Sequence, residues 1–527
     1  MLIPPFKPKL PEIAACDQTP VVRSLLQIIG QQQEQIQRLE DEIRRLQGGP
    51  PRPQLKPNTL EPAGTVATEA AGAPPRRRGP QRAKTAELTI HATERVSVAG
   101  VPEGSEFKGY RRFVVQELEI RPQNTCYLLE QWRFPTGEYV TAPVPATAVR
   151  GGHYGPQLVS YLLHQYYHAH VTQPLLLAQL HDWGIEMSAG QLNHLLTEGH
   201  DAFHQEKAAL KAAGLATSSY IQADDTGARH QGQNGYCTSI GNERFAWFAS
   251  TDSKSRVNFL ELLQVERRYE VNAAGLAYMA ARGLAAGHGE RLAAHPVVLT
   301  DPQDWAAHLR RNLIDSPRAV ALATEGALIG GLAAQGFNLE IGLVSDDAGQ
   351  FDLFVHGLCW VHAERPLSHL VPLNEPDRRA IAWVRQQVWF RYRDLKAYRQ
   401  APDPEAKDRI TAGFEALCAT ETTCEPLNAV LHGLQRNQAE LLRVLERPDL
   451  PIHNNRSETD LRDMVKKRHI SAGTRSADGR QCRDTFASLK KTCRKQGLSF
   501  WEYLKDRVAG LNVIPSLAEL IRRPVTA

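Results

Sequence analysis

The 527-residue sequence lacks the short motifs that mark several common kinds of site. Its eight cysteines are scattered without a CxxC pair, which argues against a zinc ribbon and against a redox dithiol. No GxxxxGKS or GxxxxGKT loop occurs, so ATP hydrolysis is not indicated. The formal net charge is only +4, so a nucleic-acid partner has to be argued from local clusters of basic residues.

Long apolar runs are also missing. The least polar stretch, AVALATEGALIGGLAAQGF at 319–337, contains Glu325 and many small residues, so we expect a packed helix there and no membrane partner. The opening residues MLIPPFKPKLPE do not show the charged-then-apolar order of a signal peptide. Scattered cysteines suit a reducing compartment, so we expect a cytoplasmic protein.

The first clear element is a heptad repeat in the N-terminal segment 1–47. Apolar residues of RSLLQIIGQQQEQIQRLEDEIRRLQ recur at spacings of three and four, with Val or Ile at one core position and Leu at the other. This arrangement favours a parallel two-stranded coiled coil over 22–47, and hence a homodimer or a higher oligomer. The alternative is one amphipathic helix that packs on its own chain.

A linker and a small module follow the heptads. Residues 48–87 are rich in Pro, Ala and Gly and predict a flexible linker, in which Arg76, Arg77 and Arg78 are candidates for binding a DNA backbone. A merely solvated tether is the alternative. Alternating stretches such as RRFVVQELEIRP and EYVTAPVP predict a small β-rich module over 88–150.

Residues 151–215 have the leucine spacing of several short helices. Pro174 suits the first turn of one helix, and Ser188 is a good N-cap for the next. Two helices joined by a short turn that contains glycine are typical of a helix-turn-helix, although many helical hairpins bind no DNA. On the DNA-binding interpretation, the contacts would come from Ser188, Gln191 and Asn193.

Paired carboxylates are the feature most directly tied to chemistry. Two predicted strands, IQADD and GLVSDD, each end in an aspartate pair that begins at Asp224 and Asp346, and Glu458 lies in the first turn of a later helix. Each acidic pair taken alone is more often a turn or a helix cap. Together they form a suitable oxygen ligand set for two Mg²⁺ ions about 3.5–4 Å apart, which would serve phosphoryl chemistry on a nucleic acid.

Three ordered segments give the sequence a family resemblance. ADDTG at 223–227, SDDAGQF with GLCWVHAERP at 345–366, and NNRSETDLR at 454–462 resemble the core of the transposases of insertion sequence sixty-six. The resemblance implies an α/β protein with a DDE catalytic core of ribonuclease-H-like fold, which is a central mixed sheet flanked by helices.

The resemblance also implies particular residue roles. Asp224, Asp346 and Glu458 match the three catalytic carboxylates, which would hold two Mg²⁺ or Mn²⁺ ions. The possible supporting residues are Asp225, His362, Arg365 and Asn455.

Some departures from the family pattern bear on these roles. Asp225 stands where the family usually has Glu, and the cysteine motif that commonly holds zinc is missing, so zinc is not expected. The chain between Asp224 and Asp346 is longer than the family leads us to expect, and it contains HPVVLTDPQDW. Asp301 in that stretch is therefore a competing candidate for the second carboxylate, although the flanking motif favours Asp346.

The predicted catalytic core spans 216–470 and contains helical insertions at 265–335 and 363–448. A basic helical tail, 471–527, follows it. Basic residues close to Glu458 would neutralise a DNA backbone: Arg462, Lys466, Lys467 and Arg468.

The sequence therefore predicts a cytoplasmic, nucleoid-associated DNA transposase that cleaves and joins the ends of an insertion sequence in double-stranded DNA. The alternatives are a catalytically inactive DNA-binding or assembly protein derived from such an enzyme, and another ribonuclease-H-like nuclease such as a resolvase.

Overall fold

The computed structural model describes residues 89–145 and 153–524. Packing between backbone segments divides the chain into two units, 1–117 and 118–527. The predicted coiled coil and the linker that follows it lie outside the described residues.

The predicted β-rich module contains less strand than its alternation indicates. Residues 89–117 of the first unit form turns and extended backbone without a helix or a strand. In the second unit, β1 (Gln131–Arg133) and β2 (Tyr139–Thr141) form an antiparallel hairpin. RRFVVQELEIRP is not a strand, and from 89 to 145 only Val114 is even half-buried. Alternating apolar residues thus have no shared core here to fix a register.

Helices precede the main sheet. They are α1 (Pro156–Leu163), α2 (Gln173–Asp182), α3 (Ala189–Thr197) and α4 (Asp201–Thr217). Pro174 lies in the first turn of α2, and Gly184 adopts a φ of +73° in the turn before α3. Ser188 is the N-cap of α3, and its hydroxyl accepts a hydrogen bond from the backbone N–H of Gln191. The expected succession of helix, short turn and helix is present.

The remaining strands belong to two sheets. They are β3 (Tyr220–His230), β4 (Gln233–Gly241), β5 (Ala246–Thr251), β6 (Tyr269–Glu270), β7 (Val298–Leu299), β8 (Gly342–Ser345), β9 (Val355–Leu358) and β10 (Gly473–Thr474). β6 and β7 pair with each other. The other six form one mixed sheet in the order β5-β4-β3-β8-β9, with β10 beside the far end of β3.

Most of the residues in the two predicted insertions are helical. α5 (Arg256–Leu263) precedes the first of these regions, which contains α6 (Ala273–Ala281), α7 (Ala286–Ala294), α8 (Pro302–Arg311) and α9 (Pro317–Ala334). The second contains α10 (Trp360–His369), α11 (Glu375–Gln400), α12 (Pro404–Cys418), α13 (Glu425–Arg436) and α14 (Gln438–Leu441). The chain then forms α15 (Asn455–Ser471), α16 (Ala477–Lys495), α17 (Phe500–Val508) and α18 (Leu517–Arg522).

Helices cover both faces of the mixed sheet. Ile221 and Ala223 of β3 belong to the main apolar core, to which α4 and α5 also contribute. Phe248 of β5 packs on the opposite face against Leu461 and Met464 of α15. The second insertion has an apolar cluster of its own. None of the helices in the described part of the chain is both long enough and apolar enough to span a bilayer.

The segment predicted as a basic tail is part of the folded core. Asp484, Ser488 and Thr492 follow one face of α16, and they accept hydrogen bonds from the backbone N–H groups of Ser250, Phe248 and Ala246 on the outer side of β5. Three lysines of this helix are correspondingly engaged in ion pairs with α15. Lys490 and Lys491 are buried and paired with Asp463, and Lys495 is paired with Asp460.

Candidate active site

The register of β3 and β8 brings two of the predicted carboxylates side by side. These strands are parallel, and Gln222 pairs with Val344. Asp224 follows Gln222 by two residues, and Asp346 follows Val344 by two. Side chains two residues apart lie on the same face of a sheet, so the two aspartates share a face. β8 ends directly before Asp346, as predicted. β3 instead continues past Asp224 to His230, because its antiparallel pairing with β4 does not stop there.

Each aspartate pair is split between two environments. The Asp224 carboxylate accepts a hydrogen bond from the backbone N–H of Asp225, whereas the Asp225 carboxylate accepts one from the Gln350 amide. Asp346 accepts a hydrogen bond from the backbone N–H of Ala348, while the exposed Asp347 binds the amide of Asn437 on the second insertion. The members of each pair therefore have different partners.

Glu458 lies in the first turn of α15 and contacts the segment that opens α10. Its Oε1 is 3.2 Å from Nε2 of His362 and 3.7 Å from Nη2 of Arg365. Burial and the neighbouring Arg365 lower the pKa of His362, which favours the neutral ring. Two of the four predicted supporting residues thus contact the predicted glutamate.

A buried junction ties these segments together. The Gln222 side chain donates to the carbonyl of His453 at 2.7 Å. The Asn454 amide donates to the carbonyl of Ala223 at 2.9 Å, and the Asn454 backbone N–H bonds Sγ of Cys359 at 3.2 Å. The strand that carries Asp224, the start of α10 and the helix that carries Glu458 are therefore joined within one hydrogen-bond network.

Asn454 does not cap the helix that it precedes. Asparagine is a favoured N-cap residue, but the Asn454 side chain makes no capping bond to α15. Its amide reaches β3 instead, and the residue is completely buried. Asn455 is exposed. Sequence reasoning also missed Gln222, since nothing local predicts a partner 231 residues away.

Negative charge is concentrated around Asp224. Burial is the largest cause that raises its pKa, from 3.8 to about 7, and the charges of Asp346, Asp225 and Glu458 raise it further. Within the described residues, no three His, Cys, Asp or Glu side chains already have the arrangement of a metal site. The donor set nevertheless fits a hard divalent cation, because it consists of oxygen ligands whose mutual repulsion such an ion would relieve.

This raised pKa predicts a pH-dependent stability. Between about pH 4 and 7 the folded state keeps a proton that the unfolded chain has released, so stability falls as the pH rises through this window. Asp224→Asn removes the titrating group and therefore this fall in stability. In EDTA we expect the variant to melt a few degrees above the wild type at pH 8, and close to it at pH 4.5, since about 1 kcal/mol shifts a large domain by roughly 2–4 °C. Thermal denaturation at the two pH values measures this, and an equal difference at both would contradict it.

Two arginines, one on α5 and one in the first insertion, hold the loop that follows β8. Arg256 donates to the carbonyl of Gly349 at 2.6 Å, and Arg282 forms a hydrogen-bonded ion pair with Asp352. This ion pair lowers the pKa of Asp352. Gln350, the partner of Asp225, lies between the two anchored residues Gly349 and Asp352, so α5 and the first insertion together fix the loop beside the carboxylates.

Asp301, the competing candidate for the second carboxylate, caps a helix. It is the N-cap of α8, where its carboxylate accepts hydrogen bonds from the backbone N–H groups of Gln303 and Asp304. Asp346, and not Asp301, is among the charges that raise the pKa of Asp224. The structure accounts for Asp301 as a helix cap and favours Asp346 as the neighbour of Asp224.

The predicted DNA-binding residues occupy varied positions. Asn193 accepts a hydrogen bond from the Gln173 amide, and the side chains of Arg462 and Lys466 are exposed on α15. Lys467 is buried, and Arg468 bonds the carbonyl of Gly227. Arg76, Arg77 and Arg78 lie outside the described residues.

These features define a mixed α/β protein with carboxylates gathered where two parallel strands separate. Residues 343–482 match the model of the Transposase IS66 family, and this match contains Asp346 and Glu458 but begins after Asp224. The chain is 42% identical over 315 residues to the uncharacterized protein y4jO of Sinorhizobium fredii (strain NBRC 101917 / NGR234), covering 59% of this chain and 98% of y4jO. The chain belongs to the Transposase IS66 family, which confirms the resemblance found in the sequence.

Proposed function

We propose that the protein is a DDE-type transposase that cleaves insertion-sequence ends and joins them to target DNA. The observation that carries the proposal is the placement of Asp224 and Asp346 side by side along adjacent parallel strands, with the helix of Glu458 tied to β3 and to the start of α10 through the buried junction. Family membership supports DNA as the substrate.

In this proposal the three carboxylates hold two Mg²⁺ or Mn²⁺ ions. The bound ions would supply Lewis-acid activation of a water or a 3′-hydroxyl and stabilise the leaving oxygen. The side chains around the site mainly hold the carboxylates in position and balance their charge. Neutral His362 and cationic Arg365 orient Glu458, and Gln350 keeps Asp225 away from Asp224. Asn454 sets the spacing between β3 and α15.

The remaining parts take roles consistent with this function. We propose that the mixed sheet and its flanking helices are a ribonuclease-H-like core, and that α2 and α3 form a helix-turn-helix that contacts DNA together with Arg462 and Lys466. The heptads at 22–47 would assemble the chain into a dimer, and binding to chromosomal DNA would place it at the nucleoid.

Incubation of the full chain with a duplex that carries one end of its own insertion sequence, and with a target plasmid, tests the proposal. We expect Mg²⁺-dependent cleavage and covalent joining of the new 3′ end to the plasmid, neither of which should occur in EDTA. Cleavage without joining would instead indicate a simple nuclease. Tight DNA binding without cleavage would indicate an inactive assembly protein.

A further inference from the structure

A large cavity lies on the same side of β3 as α15, beyond the carboxylates along the strand. Its volume is about 580 Å³, and its walls come from α2, α3, the second half of β3 and the junction of α15 with α16. Thr226 and Gly227, which directly follow Asp225 in the chain, are part of the lining. The cavity therefore begins within two residues of the proposed catalytic strand position.

The lining has basic residues and no acidic ones. Lys467, Arg468, Arg475 and Arg483 line the cavity, and neither Asp nor Glu does. Two of these cations are already engaged, since Arg468 bonds the carbonyl of Gly227 and Arg483 is paired with Asp484. The cavity thus has the charge of an anion-binding site.

Lys467 is the one buried member of these four cations. Its side chain is nine-tenths buried, and none of the ion pairs among the described residues includes it. The ammonium has one long hydrogen bond, 3.5 Å to the carbonyl of Tyr166, and lies 3.8 Å from the centre of the Tyr166 ring. A buried ammonium without a counter-ion is costly, and an anionic ligand in the cavity would supply the missing partner.

Part of the remaining wall is apolar, and uncharged polar side chains from α2, α3 and β3 complete it. Tyr166, Leu177, Leu192 and Met464 line the cavity together with Pro174. A ligand that satisfies both parts of the lining has a flat apolar body and a phosphate-like anion, which is the chemistry of one nucleotide. Cavities of this size commonly enclose ligands of that class.

We propose that this cavity binds a single nucleotide that is displaced from the DNA duplex, with its phosphate at Lys467 and its base against the apolar wall. The inference rests on the proposed function for the source of the nucleotide, because the cavity adjoins the strand that would act on DNA. Extruding a nucleotide is least costly where the base is already unpaired, so an unpaired nucleotide is the best probe of the site.

The test compares two duplexes in EDTA, where no cleavage is expected. One carries 2-aminopurine as a one-nucleotide bulge, and the other carries it fully paired. We expect the full chain to bind the bulged duplex about tenfold more tightly and to change its 2-aminopurine fluorescence. Free deoxyadenosine 5′-monophosphate is the third probe.

Three variants locate the effect. Lys467→Met removes the charge at similar side-chain length, and Ile470→Trp adds bulk at an exposed residue of the lining in the last turn of α15. Both should abolish the preference for the bulge and leave the affinity for paired DNA within about threefold. Lys407→Met, at an exposed position of the second insertion away from the cavity, is the charge-matched control and should keep the preference. Melting temperatures check that each variant is folded.

Each outcome bears on the proposal. A wild-type chain that binds bulged and paired duplexes equally would overturn it, and so would a preference that survives in both cavity variants. If the monophosphate binds at Lys467 but the bulge gives no preference, the site takes a free nucleotide, and the displaced-nucleotide proposal is wrong. Cleavage in Mg²⁺ is scored separately, so a chain that cleaves without a bulge preference would retain the proposed function and lose only this inference.

Discussion

Asp346→Asn is expected to lower DNA cleavage by at least about a thousandfold, equivalent to roughly 4 kcal/mol of transition-state stabilisation. Asp346 follows β8 directly and contributes to the raised pKa of Asp224, so its charge belongs to the proposed metal site. The next residue gives a matched control. Asp347 is exposed and bonds Asn437, so Asp347→Asn makes the same chemical change away from the site and should keep activity within about threefold.

Cleavage rates of the two variants, measured on the same end-containing duplex, provide this comparison. DNA binding should be retained by both, since removing a carboxylate does not weaken contact with a phosphate backbone. Similar losses in the two variants would contradict the assignment of Asp346, and full activity in Asp346→Asn would end it. Asp224→Ala should be as inactive as Asp346→Asn, whereas Asp225→Asn should be much milder because Asp225 bonds Gln350.

Asn454→Ala is expected to lower cleavage about a hundredfold and the free energy of unfolding by roughly 2 kcal/mol. The substitution leaves the buried carbonyl of Ala223 without its donor and loosens the spacing between β3 and α15. Asn455→Ala, at the adjacent exposed position, is the comparison variant and should change both quantities little.

The loss of cleavage in Asn454→Ala should be distinguishable from its loss of stability. Cleavage is measured at 15 °C, well below the melting temperature of either variant, and unfolding is followed with urea. A cleavage loss that disappears at the low temperature would show that Asn454 serves stability alone. A loss that persists in a folded protein supports a positioning role for the residue.

Local chemistry explains which features the sequence predicted. Pro174, Gly184 and Ser188 mark the ends and the turn of α2 and α3, because each preference acts within a few residues. The end of β8 before Asp346 and the position of Glu458 in the first turn of α15 follow from equally local patterns.

Contacts between distant segments were not predictable in this way. β3 does not end at Asp224, because its antiparallel pairing with β4 continues to His230. The Asn454 amide bonds the carbonyl of Ala223, which lies 231 residues earlier in the sequence. Consecutive basic residues also separate in space, with Lys466 exposed and Lys467 buried, so a run of positive charge does not reveal which member faces a cavity.

The outer side of β5 has a consequence for how the protein can be shortened. The side chains of α16 occupy the donors with which a free edge strand would recruit another strand. A chain that stops before Ala477 would expose those N–H groups together with the apolar residues beneath the helix. Such a truncation should aggregate by edge-to-edge strand addition even though it keeps Asp224, Asp346 and Glu458, so α16 protects the chain against polymerisation through β5.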